Sequence, residues 1–82
     1  MAGSIRLRVK LGASLASLVG KSETELQLEG PLPLREVAER VGVSPNLVML
    51  YVVNGALQTA EVCPADGDEV LLVPAVAGGA LN

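Results

Sequence analysis

After four unpatterned residues the chain alternates strictly: Ile5, Leu7, Val9 and Leu11 are apolar, and the Arg6, Arg8 and Lys10 between them are cationic. A period of two predicts a half-buried strand. Alternation returns over residues 23–28, where Leu26 and Leu28 share a face. This predicts a second strand, paired with the first as a hairpin with a long connection. That connection, Gly12 to Gly20, spaces Leu15, Leu18 and Val19 helically but is rich in Gly, Ala and Ser. It reads as a loop with one helical turn. Gly30-Pro31-Leu32-Pro33 breaks the second strand.

The period then changes. Leu34, Val37, Ala38 and Val41 fall at i, i+3, i+4 and i+7, with Arg35, Glu36, Glu39 and Arg40 on the other side. That is an amphipathic helix, with Glu36 and Arg40 spaced for an i,i+4 ion pair and Gly42 as its stop. Ser44-Pro45 reads as an N-cap and first position of a short turn. Residues 50–53 form a third apolar strand. Asn54-Gly55 follows as a tight hairpin turn, because both positions accept positive φ. Residues 56–59 return as a short edge strand. Residues 69–74 are the last strand, and Val70-Leu71-Leu72-Val73 is apolar on both faces.

Strand, strand, helix, strand, short strand, strand predicts an α+β fold of β-grasp type, a mixed sheet of about four to five strands with one main helix packed on one face. Residues 1–74 form this domain and 75–82 a flexible tail. The unbroken apolarity of the last strand suits the centre of the sheet. One helix covers one face only, so the other face is expected to show an apolar patch around Leu71 and Val73, with Tyr51 or Val53 near it. Such a patch is a candidate docking surface for a partner.

Composition narrows the chemistry. The 82 residues allow one domain, half of them are hydrophobic, and Tyr51 is the sole aromatic, so the core is aliphatic. The chain has no histidine and a single cysteine. The commonest general base and the usual thiolate metal sites are therefore missing. A net charge of −3 argues against nucleic acid as a partner. No apolar run is long enough to span a membrane and no signal segment opens the chain, so the cytoplasm is the expected location. Arg6, Arg8 and Lys10 read either as a solvated strand face or as a surface for an acidic partner. Cys63 reads as a small packed hydrophobe. Asp66, Asp68 and Glu69 read as an acidic turn with too few ligands for calcium.

Three segments carry a resemblance: Val52-Val53-Asn54-Gly55, Asp66-Gly67-Asp68-Glu69-Val70, and Val73-Pro74-Ala75-Val76-Ala77-Gly78-Gly79. Together they resemble the MoaD/ThiS family of ubiquitin-like sulfur carriers. The resemblance implies that the chain is not itself an enzyme and binds no cofactor. Its Gly79 carboxylate would be adenylated with ATP in a separate activating enzyme, of the type that activates ubiquitin, and then converted to a thiocarboxylate. The sulfur would pass to an accepting enzyme in cofactor, thiamine or cysteine biosynthesis. Gly78 and Gly79 lack a Cβ, which suits a narrow channel. Pro74 to Gly79 spans roughly 20 Å when extended. Pro74 and Val76 join Leu71, Val73, Tyr51 and Val53 as expected partner contacts.

Two features depart from the family pattern. Ala80-Leu81-Asn82 follow the glycines, and while they remain the Gly79 carbonyl is an amide, so a protease trimming after Gly79 is implied. Arg6, Arg8 and Lys10 stand where the molybdopterin members show bulky apolar residues, and Ala75 takes the place of a second proline. This points away from a molybdopterin-synthase partner. Two rival readings remain. One is a ubiquitin-like protein modifier that forms isopeptide bonds through Gly79. The other is a β-grasp interaction module.

Overall fold

The computed structural model describes residues 4–75. The expectations for Val76, Gly78, Gly79 and Ala80 to Asn82 lie outside these residues. The elements run β1 (Ile5–Leu11), α1 (Ala13–Val19), β2 (Glu23–Leu28), α2 (Leu34–Arg40), a 3₁₀ turn (Pro45–Leu47), β3 (Val48–Val53), β4 (Ala56–Gln58) and β5 (Glu69–Pro74). The five strands form one mixed sheet in the order β2-β1-β5-β3-β4. β1 pairs antiparallel with β2 and parallel with β5, and β5 pairs antiparallel with β3. The β-grasp prediction holds, and the doubly apolar β5 is the central strand.

The core lies on one face of the sheet. Leu7, Val9 and Leu11 of β1 meet Val70 and Leu72 of β5, Leu28 of β2, and Leu34, Val37 and Ala38 of α2. No polar or charged residue is buried among the described residues. Pro33 stands at the N-cap of α2 and offers no side-chain cap. Instead the loop before β5 supplies acceptors: the Leu34 and Arg35 N–H groups donate to the carbonyls of Val62 and Ala60 at 2.9 and 3.0 Å. These bonds satisfy helix donors that would otherwise lack partners. The spaced Glu36–Arg40 pair does not form. Arg35 takes its helix neighbour Glu36 at 3.2 Å and Glu61 at 2.9 Å, so the second of these ion pairs ties the helix to that loop.

Residues 12–20 correct the sequence reading. They form α1, a seven-residue helix, where a loop with one turn is expected. The Gly12 carbonyl accepts from the Ala16 N–H at 2.8 Å, and Gly20, at φ +95°, closes the helix by donating to the Ala16 carbonyl. Leu15 is its buried anchor. A single anchor among Ala and Ser gives too weak a periodic signal for a helix this short. Cys63 is a second correction: it is exposed, and the neighbouring Pro64 fills the buried position.

Candidate functional site

The site is built on the sheet face opposite the core, and strand register decides which residues reach it. Val52 lies opposite Leu71, and Leu50 opposite Val73, across the β3–β5 ladder. Val52 also lies opposite Leu57 of β4. Leu71, Val73 and Val52 are half-buried, while Leu50 is 40% and Leu57 65% exposed. These five side chains make an apolar strip across three strands. A register shift between Val48 and Leu50 lets Met49 and Leu50, although adjacent, both remain exposed.

Tyr51 and Val53 do not belong to this strip. They are 6% and 8% exposed, packed in the core with Val48. The expectation placed them beside Leu71 and Val73. Strand parity puts them on the opposite face, and their former places belong to Leu50 and Val52. Burial of Tyr51 pushes its phenol above the ordinary value of 10.0. Val52 and Leu57 were within reach of sequence reasoning. The two-residue Asn54-Gly55 turn makes 53 pair with 56 and 52 with 57, so an apolar Leu57 on an otherwise polar edge strand marks the face it shares with Val52.

Beyond the strip the same face turns ionic. Arg8 reaches Glu23 at 3.3 Å and Lys10 reaches Glu69 at 2.5 Å. The hydrogen bond from Lys10, followed by its charge, holds the Glu69 carboxyl below the ordinary 4.5, and Glu69 likewise raises Lys10. Two of the three β1 cations are therefore matched within the sheet. A shallow polar depression borders Arg6, Arg8, Glu25 and Gln27.

The acidic turn is engaged internally. The Arg6 N–H donates to Asp66 Oδ1 at 2.8 Å, and the Gly67 N–H donates to the Arg6 carbonyl at 2.8 Å. Asp68 accepts from the Ala65 N–H and from Asn54 Nδ2 at 2.8 and 2.9 Å. The segment Asp66 to Glu69 thus stitches β1, the β3–β4 turn and the start of β5 together.

At the other end of β5, Pro74 is buried and lies opposite Val48, and the Ala75 N–H donates to the Leu47 carbonyl at 2.8 Å. The chain therefore leaves the sheet from its central strand, at the end of the apolar strip. Pro74 supports that exit from inside and is not an exposed contact.

A five-stranded mixed sheet with helices against one face and an apolar strip on the other is a β-grasp domain of the ubiquitin-like class. The sequence profile of the ThiS family matches residues 9–79. The chain belongs to the ThiS family. Among solved structures, small archaeal modifier protein 1 of Haloferax volcanii superposes with a TM-score of 0.71 at 21% identity, over 85% of this chain and 97% of that one. A putative molybdopterin converting factor, subunit 1, from Pyrococcus furiosus gives a TM-score of 0.69 at 21% identity, with the same shares covered. At these identities the likeness establishes the fold. No curated protein matches the chain in sequence. Among the described residues no helix is long and apolar enough to cross a membrane.

Proposed function

We propose that the chain is a sulfur carrier that works through Gly79 once Ala80, Leu81 and Asn82 have been removed by a protease. A separate activating enzyme supplies the ATP site. The Gly79 carboxylate attacks the α-phosphate of ATP, pyrophosphate leaves, and an acyl-adenylate forms. A sulfur nucleophile then displaces AMP, and the resulting thiocarboxylate carries sulfur to an accepting enzyme. The chain itself supplies a docking face and a reactive terminus, binds no cofactor, and acts in the cytoplasm.

The observation that carries this reading is the apolar strip Leu50, Val52, Leu57, Leu71 and Val73, which ends where Pro74 and Ala75 lead toward Gly78-Gly79, in a member of the ThiS family. The strip can seat the domain on the activating enzyme while the residues beyond it reach ATP. The decisive experiment incubates the chain ending at Gly79, and the full 82-residue chain, with the activating enzyme of its host, ATP and a sulfur donor. Intact mass should report sulfur in place of oxygen at Gly79 in the trimmed chain only. A trimmed chain that never supports ATP–pyrophosphate exchange would falsify the proposal.

A second reading is favoured by the likeness to a small archaeal modifier protein. In it the activated Gly79 is transferred to lysine amines of other proteins. Conjugates of higher mass in host extract that vanish with Gly79→Ala would select this reading over sulfur transfer.

A further inference from the structure

We infer that Gly12 is a positioning residue for the reactive terminus: it forms the seat against which Pro74 sets the direction of the chain as it leaves the sheet. The inference rests on the carrier reading above.

Gly12 joins β1 to α1 with φ −63° and ψ 165°, a conformation open to any residue. Backbone freedom therefore does not explain a glycine here. Space does. A Cβ at position 12 would collide with Pro74 Cδ, and it would lie 3.2 Å from Pro74 Cγ and 3.4 Å from the Leu72 carbonyl oxygen. Gly20, Gly42, Gly55 and Gly67 are the reverse case, with positive φ and open surroundings.

The contact cannot relax cheaply on either side. The Gly12 N–H donates to the Leu72 carbonyl at 3.0 Å, and the Gly12 carbonyl holds the first turn of α1 through Ala16. The pyrrolidine ring of Pro74 has no rotamer that swings it clear. Past the ring, the Ala75 N–H is bonded to the Leu47 carbonyl. Pro74 is thus fixed by Gly12 on one side and by the 3₁₀ turn, through Ala75, on the other. A larger residue at position 12 displaces the ring and strains the Ala75–Leu47 bond, the last described anchor before Gly78-Gly79. The docking strip does not include Gly12. A substitution there should leave association intact and degrade the delivery of the carboxylate to ATP, a step that depends steeply on geometry.

The test uses four chains ending at Gly79: wild type, Gly12→Ala, Pro74→Ala and the double variant. ATP–pyrophosphate exchange with the activating enzyme gives kcat and KM, and amide hydrogen exchange reports the Ala75–Leu47 bond. Gly12→Ala should lower kcat at least about tenfold with KM changed less than about twofold, and should speed Ala75 exchange. The double variant, which vacates the space of the ring, should recover most of kcat relative to Pro74→Ala. Wild-type kcat in Gly12→Ala, a loss confined to KM, or no recovery in the double variant would overturn the inference. If Gly12→Ala fails to fold, the double variant decides: refolding with exchange activity supports the seat, and anything less overturns it. A wild-type chain without pyrophosphate exchange overturns the carrier reading instead. Ala75 exchange then judges the seat alone, with unchanged protection in Gly12→Ala counting against it.

Discussion

Asn54 and Asp68 clasp each other at one end of the sheet: Asn54 Nδ2 donates to Asp68 Oδ1 at 2.9 Å, while Asn54 Oδ1 accepts from the Glu69 N–H at 2.9 Å. Asn54 also sits at φ +51°, the single positive φ outside glycine among the described residues. It therefore combines a left-handed turn with two side-chain bonds, one to Asp68 in the loop before β5 and one to Glu69, the first residue of β5. Asn54→Ala loses both features and should cost about 2–3 kcal/mol in urea denaturation. Asn54→Gly keeps the turn and should cost about 1 kcal/mol less than the alanine variant. Equal losses would mean that the left-handed conformation carries no weight here.

Leu57 separates docking from folding. It is 65% exposed, so Leu57→Asp should move stability by no more than about 0.5 kcal/mol. The same change places a charge at the β4 edge of the apolar strip, opposite Val52, and if the strip docks the activating enzyme as proposed, affinity should fall at least about tenfold in calorimetry. Tyr51→Phe, on the opposite face, should leave that affinity unchanged.

Lys10 and Glu69 give a signature in acid. The folded state holds the Glu69 carboxyl below its ordinary value, so it binds fewer protons there than the unfolded chain does. Its contribution to stability is present above the unfolded value near 4.5 and is lost as pH falls through the lowered folded value. Lys10→Met should raise the Glu69 midpoint in an NMR titration of the carboxyl carbon. The stability difference between the two proteins should vanish once that carboxyl is protonated.

Tyr51 gives the opposite signature in base. Burial favours the neutral phenol, so the folded chain keeps its proton above pH 10.0, where the unfolded chain releases it. Stability should fall as pH rises past that value. The chain has no other aromatic residue, so tyrosinate absorbance follows this one group. Its midpoint should lie above 10.0 in the native state and return to that value in denaturant.

The elements whose burial is one-sided were legible in the sequence. β1, β2 and α2 show their period openly because each turns one face to water, and the Asn54-Gly55 pair dictates its own turn. β3 was harder. Val48 to Val53 is apolar throughout except for the hydroxyl of Tyr51, so no alternation announces which residues point inward. The partner strands decide, through the pairing of Val52 with Leu71 and the shift at Met49. Hence Leu71 and Val73 were correctly assigned to the open face, and Tyr51 and Val53 were not. Gly12 was illegible for a different reason: its requirement is the absence of an atom in a space filled by Pro74, 62 positions later in the sequence (74 − 12).

The central place of β5 also has a temporal meaning. The strand that completes the sheet is the last of the five to be synthesised, and both of its neighbours must wait for it. A nascent chain that stops before Glu69 leaves Leu7, Val9 and Tyr51 without Val70 and Leu72 to close over them. Only a chain translated through Pro74 can finish its core, and only there does the seat at Gly12 receive its ring. Incomplete products are thus left open to proteases, and on the carrier reading proposed above an activating enzyme would meet only finished domains.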